Sequence, residues 1–88
     1  MIVEKTDVFE KWFKDLKDRI VVRIRRIEND DFFGDCEPVG NKIFELRIHY
    51  GPGYRVYLYK DGEKVVILLC GGDKSTQKKD IEKAKSMI

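Results

Sequence analysis

The chain has 88 residues, with 18 Lys and Arg against 16 Asp and Glu and a formal net charge of +2. This length predicts one domain, residues 1–88, and the near balance of charge excludes a general polycation, so any affinity for nucleic acid depends on where the charges lie. Cys36 and Cys70 do not form the pattern of a disulfide framework, and a single histidine without a CxxC pair argues against a zinc site, so no metal or small-molecule cofactor is expected. Without a secretory segment or a membrane-spanning apolar run, we expect a cytoplasmic protein with no membrane partner.

The first part of the chain predicts a short strand and a helix. Residues 1–5 are rich in strand formers, and Thr6 or Asp7 can cap the helix that follows, Asp7 with Glu10 forming an acidic variant of the capping box. Apolar residues at i, i+3, i+4 and i+7 spacing are typical of one buried helix face. The members of this stripe are Phe9, Trp12, Phe13 and Leu16. Trp12 is therefore predicted to be a core residue.

A second helix is predicted to begin at Lys17-Asp18, with Asp18 as its cap, and to end at residues 29–31. Its apolar face consists of Ile20, Ile24 and Ile27, and its remaining surface carries Arg19, Arg23, Arg25 and Arg26. These arginines suit phosphate or an acidic partner protein, but charge runs of this kind are usually a solvated face. Residues 32–41 are predicted to be irregular, with a brief extended piece near 37–39.

Residues 44–59 predict a β-hairpin, because apolar and polar residues alternate strictly on both sides of Gly51-Pro52-Gly53, a sequence that suits a type II turn. Centring the hairpin on Pro52 places His49 opposite Arg55, Arg47 opposite Tyr57 and Glu45 opposite Tyr59 on one surface, with Ile48 facing Val56 and Leu46 facing Leu58 on the other. Guanidinium, imidazole and phenol groups suit RNA, since Arg binds phosphate in a fork and aromatic rings stack on bases. The same residue types are also common on solvated strands.

A second hairpin and a final helix complete the predicted elements. Asp61-Gly62 favours a two-residue type I′ loop, and the strand that follows, residues 64–70, is apolar on both faces. This register puts Val66 opposite Tyr57 and Leu68 opposite Arg55, an apolar strip that the last helix or a partner protein must cover. Residues 71–74 form a sharp exit, and Ser75 or Thr76 caps a helix over about 76–86. Its apolar stripe consists of Ile81, Ala84 and Ile88.

The order β-α-α-β-β-β-α and two sequence blocks resemble the RelE/ParE toxin superfamily, and more narrowly its phage-associated, HigB-like "addiction module killer protein" branch. The blocks are YGPGYRVY at 50–57 and GGDKSxQxxDI at 71–81, supported by Phe9, Trp12, Gly34-Asp35 and Glu45-Leu46-Arg47. The resemblance covers essentially the whole chain. It implies an α+β fold, in which a twisted, mainly antiparallel sheet carries an N-terminal helical pair on one face and also packs against a C-terminal helix.

The resemblance also implies a function and partners. Members are toxins of bacterial toxin–antitoxin pairs: RelE-like members cleave mRNA in the ribosomal A site, ParE-like members poison DNA gyrase, and the HigB-like branch is generally linked to ribosome-dependent RNA cleavage. The antitoxin is usually a helix-turn-helix protein. We therefore expect a metal-independent endoribonuclease of a type II toxin–antitoxin system, an mRNA interferase whose partners are a helix-turn-helix antitoxin and mRNA on the ribosome.

Residue roles are carried over from the same resemblance. Arg55 matches the arginine used at the scissile phosphate, Lys74 matches a basic residue after the last strand, and Arg47 matches more loosely, with His49 nearby. Asp80 or a close neighbour falls where RelE has a tyrosine, so the proton acceptor stays open between His49 and Asp80. Both also have ordinary structural explanations: a surface histidine, and a helix carboxylate paired with Lys79 or Lys83.

The remaining candidates for RNA contact are Tyr54, Tyr57, Gln77, Arg23 and Arg26. Tyr57 can stack on a base or cover Arg47, and Gln77 can contact RNA or cap the preceding loop. Two other functions stay open: a gyrase-directed inhibitor without chemistry, and a degenerate antitoxin-binding module that uses the apolar strip. The nuclease hypothesis requires Arg47, Arg55 and Lys74 to surround one ribose-phosphate.

Overall fold

The computed structural model describes the backbone of residues 1–88 and every side chain except that of Lys17. Its elements are β1 Ile2–Lys5, α1 Asp7–Phe13, α2 Lys17–Asp30, β2 Cys36–Gly40, β3 Ile43–Ile48, β4 Tyr54–Asp61, β5 Val65–Asp73, a 3₁₀ turn Lys74–Thr76, and α3 Gln77–Ser86. The α+β class is confirmed, and the extended piece expected near 37–39 is a complete strand, β2. In the part of the chain that the structure describes, no helix is long and apolar enough to cross a membrane.

The five strands form one sheet in the order β1-β5-β4-β3-β2. Only the β1–β5 pair is parallel, and the other three neighbouring pairs are antiparallel. The helical pair α1 and α2 packs on one face of this sheet, which we call the helical-pair face. On the opposite face, α3 covers part of β4 and β5, and we call this the α3 face.

Two hydrophobic cores lie on the two faces of the sheet. The core on the helical-pair face consists of Phe9, Phe13, Ile20, Ile24, Ile27, Leu46, Ile48, Val56, Leu58, Val66 and Leu68, with Trp12 and Leu16 packed against it. The smaller core under α3 consists of Ile43, Tyr57, Leu69, Cys70 and Ala84, with Ile81 packed against it. Both predicted helix stripes of the N-terminal pair are therefore confirmed. Ile88 lies beyond the end of α3 and is exposed, so it does not extend the α3 stripe.

Of the caps predicted for the two N-terminal helices, Thr6 is confirmed and Asp18 is wrong. Thr6 caps α1, because its Oγ1 accepts a hydrogen bond from the amide of Phe9 at 3.0 Å; Asp7 is already inside the helix. The predicted cap Asp18 is also wrong, since α2 begins at Lys17 and its N-cap residue, Leu16, makes no side-chain cap. The short connection between α1 and α2 follows the packing of the two apolar stripes rather than local capping chemistry.

The β3–β4 hairpin is confirmed, but its predicted register is wrong by two residues. The observed pairs are Ile43–Tyr59, Glu45–Tyr57, Leu46–Val56, Arg47–Arg55 and Ile48–Tyr54. The connecting loop has five residues, 49–53, and is centred on Gly51 rather than Pro52. Gly51 and Gly53 adopt φ values of 57° and 78°, which only glycine adopts without strain. Because the slip is an even number of residues, every side chain keeps its predicted face.

The predicted β4–β5 register is wrong in a way that does change faces. The observed pairs include Asp61–Val65, Leu58–Leu68 and Tyr57–Cys70. The loop therefore spans three residues, 62–64, and Leu69 is the extra residue of a β-bulge. Val66 and Leu68 are fully buried on the helical-pair face. The apolar strip predicted beside the arginines, and with it a partner surface at Val66 and Leu68, does not exist.

Two glycines follow the bulge because each faces a bulky neighbour. A Cβ atom at Gly71 would overlap the ring of Trp12 from α1, and one at Gly72 would overlap the carboxylate of Asp80 from α3. Because neither position has a side chain, α1 can pack against one face of the end of β5 and α3 against the other. Gly72 pairs with Arg55, so the second of these glycines borders the predicted site.

Candidate functional site

Glu45 lies at the centre of a polar cluster formed by β3, β4 and α3. Its side chain is 1% exposed and accepts four hydrogen bonds. The donors are Arg47 Nε at 3.1 Å and Arg55 Nη1 at 3.2 Å to Oε1, and Tyr57 Oη at 3.1 Å and Gln77 Nε2 at 2.7 Å to Oε2. A buried carboxylate is tolerated when it has such a set of partners. Glu45 therefore fixes the positions of both arginines.

The ionisation states of the cluster follow from this geometry. Burial by itself raises the pKa of Glu45, but the hydrogen bonds from Gln77, Arg47 and Tyr57 and the charge of Arg55 outweigh it and hold that pKa below its ordinary value. Burial and the adjacent carboxylate raise the pKa of Tyr57 far above its ordinary value. At neutral pH the carboxyl of Glu45 is an anion, and Tyr57 is a neutral hydrogen-bond donor.

Arg47 and Arg55 are neighbouring cations held on one carboxylate oxygen. They pair across β3 and β4, and their side chains are 36% and 13% exposed. The hydrogen bond to Glu45 raises the pKa of Arg47, against the opposing effect of desolvation. The Nε atom of Arg55 is buried and has no hydrogen-bond partner among the described residues. Guanidinium groups donate hydrogen bonds in a planar fork, and two of them side by side suit an anion such as phosphate.

The first turn of α3 borders the cluster. Besides the hydrogen bond from Gln77 to Glu45, the Oγ1 atom of Thr76 donates to Oδ2 of Asp80 at 2.5 Å. Asp80 lies over Gly72, the β5 residue opposite Arg55. Its carboxylate is therefore beside the arginine cluster, and its hydrogen bond is to Thr76 rather than the ion pair considered with Lys79 or Lys83.

Lys74 is exposed at the start of the 3₁₀ turn. The preceding residue, Asp73, ends β5 opposite Tyr54, and its carboxylate accepts a hydrogen bond from the amide of Ser75 at 2.8 Å. A Cβ atom at Gly53 would lie 3.5 Å from the Cβ of Lys74. The backbone of Lys74 is thus next to the β3–β4 loop, at the same end of β4 as Arg55.

His49 is highly exposed and is paired with a carboxylate. Its Nε2 lies 2.5 Å from Oδ2 of Asp35, and the position predicted for it opposite Arg55 is wrong because His49 lies beyond the end of β3. The hydrogen bond from His49 is the main cause that lowers the pKa of Asp35; desolvation opposes it, and the charges of Arg47 and Arg23 add to it. His49 thus lies near Arg47, and a carboxylate rather than a guanidinium group contacts its ring.

Three of the candidate RNA contacts lie elsewhere. Arg23 reaches from α2 to the carbonyls of Arg47 at 2.5 Å and Phe33 at 2.8 Å. Arg26 stacks on the ring of Phe32, 4.6 Å from its centroid. The ring of Tyr54 packs edge-on against Trp12, with 6.2 Å between ring centroids. These side chains belong to the helical-pair side of the sheet, so the structure does not bring them to the arginine cluster.

Tyr57 is on the α3 face but is fully buried. Its ring is therefore not exposed for stacking on a base, contrary to the surface predicted from the alternation of the hairpin. Its hydroxyl group instead supports Glu45. Gln77 likewise uses its amide on Glu45 and does not cap the preceding loop.

Sequence reasoning missed Glu45 and Asp35 as site residues. Glu45 appeared as one polar member of an alternating strand, and nothing in the sequence indicated that α3 would bury it. The signal that could have identified Glu45 was its place as a single carboxylate on the same strand face as Arg47 and next to the strand that carries Arg55. Asp35 fell in a segment predicted to be irregular. Among the side chains that the structure describes, no group of three or more His, Cys, Asp or Glu residues is arranged to hold a metal ion.

Comparison with known proteins gives two matches. Residues 7–88 match the family model described as "Phage derived protein Gp49-like (DUF891)". The chain is also 49% identical, over 88 residues, to a Haemophilus influenzae protein whose name is "Uncharacterized protein"; the alignment covers 94% of this chain and 88% of that protein.

Proposed function

Because the chain belongs to the phage-derived Gp49-like protein family, which is associated with toxin–antitoxin toxins, we propose that it is the toxin of a type II toxin–antitoxin pair. We further propose that it is an mRNA interferase, which cleaves mRNA on the ribosome by attack of a ribose 2′-oxygen without a metal ion. Its partners in this proposal are mRNA and an antitoxin of the helix-turn-helix type.

The observation that carries the proposal is the paired arrangement of Arg47 and Arg55 on one buried carboxylate. Cleavage at a ribose 2′-oxygen builds negative charge on the phosphorane, and fixed positive groups aimed at developing charge are often the largest contribution to catalysis. Glu45 holds both guanidinium groups in place before substrate binds, so little ordering is required during the reaction. In this proposal the two arginines bind the scissile phosphate and Lys74 supplies a further cation or proton donor.

The test is induced expression followed by mapping of mRNA 5′ ends. We expect new 5′ ends with the wild-type protein, and a loss of cleavage of about 10²–10³-fold in Arg55→Ala, the scale typical of removing one group that stabilises transition-state charge. Arg47→Ala and Lys74→Ala test the other two cations. Arg25→Ala is the matched control, because Arg25 is exposed on α2, away from the cluster. Thermal melting of each purified variant separates loss of chemistry from loss of fold.

The outcomes separate the nuclease from a gyrase-directed toxin. Undiminished cleavage by Arg47→Ala, Arg55→Ala and Lys74→Ala would remove the site assignment. Growth arrest without any new 5′ ends would contradict the nuclease proposal, and a supercoiling assay with purified gyrase would then show whether the toxin acts on that enzyme instead.

A further inference from the structure

The strongest feature outside the arginine cluster is the contact between His49 and Asp35. Asp35 immediately precedes β2, and its carbonyl accepts a hydrogen bond from the amide of Arg47 at 2.9 Å. This bond extends the β2–β3 ladder by one residue beyond the Cys36–Leu46 pair. Residues opposite one another across two strands present their side chains on the same face. The Asp35 carboxylate therefore lies on the α3 face, beside Arg47.

Arg23 fixes the backbone that carries Asp35. Its Nη2 donates to the carbonyl of Phe33 at 2.8 Å and to that of Asp35 at 3.3 Å, while its Nη1 donates to the carbonyl of Arg47. Gly34 lets the guanidinium group approach, because a Cβ atom there would be 2.9 Å from Nη2. One partly buried cation thus ties the segment before β2 to the backbone of β3. The backbone of Asp35 is held by these main-chain contacts, which do not involve its side chain.

The contact also selects the tautomer that His49 adopts when its ring is neutral. A carboxylate only accepts hydrogen bonds, so the proton of the neutral ring lies on Nε2, which leaves the lone pair of Nδ1 free. His49 is 76% exposed and Asp35 36%, so a substrate has access to this nitrogen. Two residues of extended chain span roughly 7 Å, which places His49 about one ribose-phosphate from Arg47. The cations whose charge acts on Asp35, besides His49, are Arg47 from β3 and Arg23 from α2.

The alternative proton acceptor, Asp80, is less suited to the role. Its Oδ2 already accepts the hydroxyl proton of Thr76, and the carboxylate lies against the backbone of Gly72. A carboxylate that accepts one hydrogen bond keeps other lone pairs, so access rather than basicity separates the two candidates. His49 is 76% exposed, whereas Asp80 is only partly exposed, and a proton acceptor must be within reach of the attacking hydroxyl group. His49 is also oriented by a second group, which is the general arrangement of an activated base.

We propose that Asp35 is a positioning residue that holds His49 as the proton acceptor of the cleavage reaction, an inference that rests on the proposed function. In the step, the ribose 2′-hydroxyl gives its proton to Nδ1 of His49 while its oxygen forms a bond to phosphorus and the bond from phosphorus to the 5′-oxygen breaks. The leaving oxygen takes a proton from water, and the imidazolium proton neutralises the hydroxide that remains. The products are a 2′,3′-cyclic phosphate and a 5′-hydroxyl end. The carboxylate of Asp35 stabilises the His49 imidazolium, which exists from the attack of the 2′-oxygen until its proton is given to the hydroxide.

The test uses the full-length protein with ribosomes carrying a short mRNA, and the rate of formation of the 2′,3′-cyclic phosphate end is measured across pH. We expect His49→Ala to lose about 10²–10⁴-fold in rate, the usual contribution of general acid–base catalysis. Asp35→Asn should lose roughly tenfold or more, because the variant no longer orients the ring or stabilises the imidazolium formed during the reaction. Asp35→Glu, which keeps the charge, should retain more activity than Asp35→Asn. Asp61→Asn, at an exposed hairpin position, is the matched control.

Two readouts distinguish positioning from a structural role. Asp35→Asn should cost nothing further when introduced into His49→Ala, because groups that act as one unit are not additive. The chain has one histidine, so nitrogen NMR reports a single ring, which should carry its proton on Nε2 in the wild type and populate both neutral forms in Asp35→Asn. Two results with an active wild type would refute this inference alone. In the first, Asp35→Asn cleaves as fast as the wild type. In the second, Asp35→Asn lowers the cleavage rate of His49→Ala by the same factor as it lowers that of the wild type. If the wild type cleaves no RNA, the proposed function is refuted and the inference with it.

Discussion

The buried carboxylate of Glu45 gives a prediction that does not depend on any assigned function. Glu45→Gln keeps the size of the side chain and removes its charge. In the variant, an NH₂ group, which donates hydrogen bonds, replaces one of the two oxygens, which accept them. If it replaces Oε2, Tyr57 and Gln77 lose their acceptor; if it replaces Oε1, the two arginines do. At least two donors therefore lose their acceptor.

The magnitude follows from the exposure of each partner. Removing one member of a buried ion pair typically costs 3–5 kcal/mol, because the other member stays buried and unpaired. Arg55 is close to this limit at 13% exposed, whereas Arg47 at 36% regains water and contributes little. The remaining amide oxygen keeps part of the hydrogen bonding, so we expect Glu45→Gln to lower the free energy of unfolding by about 2–4 kcal/mol. For a chain of this size, that corresponds to a fall of roughly 10–20 °C in Tm.

Urea denaturation and thermal melting of the purified protein measure this loss. Glu37→Gln is the matched control, because Glu37 is the β2 partner of Glu45 and is exposed, and a surface change of this kind should stay within about 0.5 kcal/mol. The folded-state pKa of Glu45 is lowered, so its contribution is present above its unfolded value of about 4.3 and is lost as pH falls through the lower folded value. The difference between wild type and Glu45→Gln should therefore shrink in acid. A Glu45→Gln variant as stable as Glu37→Gln at pH 7 would refute the reasoning.

Three further predictions concern stability and thiol chemistry. Lys42→Gly should raise the free energy of unfolding by about 0.5–1 kcal/mol, because Asn41 and Lys42 have φ values of 55° and 62° in the β2–β3 turn and glycine suits this geometry best; a lower Tm would contradict this. Gly71→Ala should destabilise by about 1–3 kcal/mol through overlap with Trp12, as overpacking does, and Trp12→Leu in the same chain should recover part of the loss in urea titration. Cys70 is 1% exposed, and burial raises its pKa to about 11, so a thiol reagent at pH 8 should modify it far more slowly in the native protein than in urea; equal rates would show that α3 opens readily.

The secondary structure was largely predictable because it depends on local patterns. The 3.6-residue stripe of Phe9 and Phe13 and the alternation around Leu46 and Val56 each identify an element and its buried face. The hairpin faces also survived the wrong register, since a slip of two residues leaves every side chain on the same side. Local capping was less reliable: Asp18 has the chemistry of a cap but lies inside α2.

What the sequence by itself determined is therefore the order of its elements apart from β2 and the side of the sheet on which Arg47 and Arg55 lie, because both follow from the periodicity of neighbouring residues; the α+β class was implied by the family resemblance of the whole chain. Only the tertiary structure decided which groups meet. The three-residue loop between β4 and β5 set the register that turned Val66 and Leu68 toward the helical pair, the docking of α3 buried Glu45 under Gln77, and the anchoring of the segment before β2 by Arg23 brought Asp35 to His49. These contacts join residues from 10 to 32 positions apart in the chain, and no local pattern encodes them, because they depend on how whole elements pack against one another.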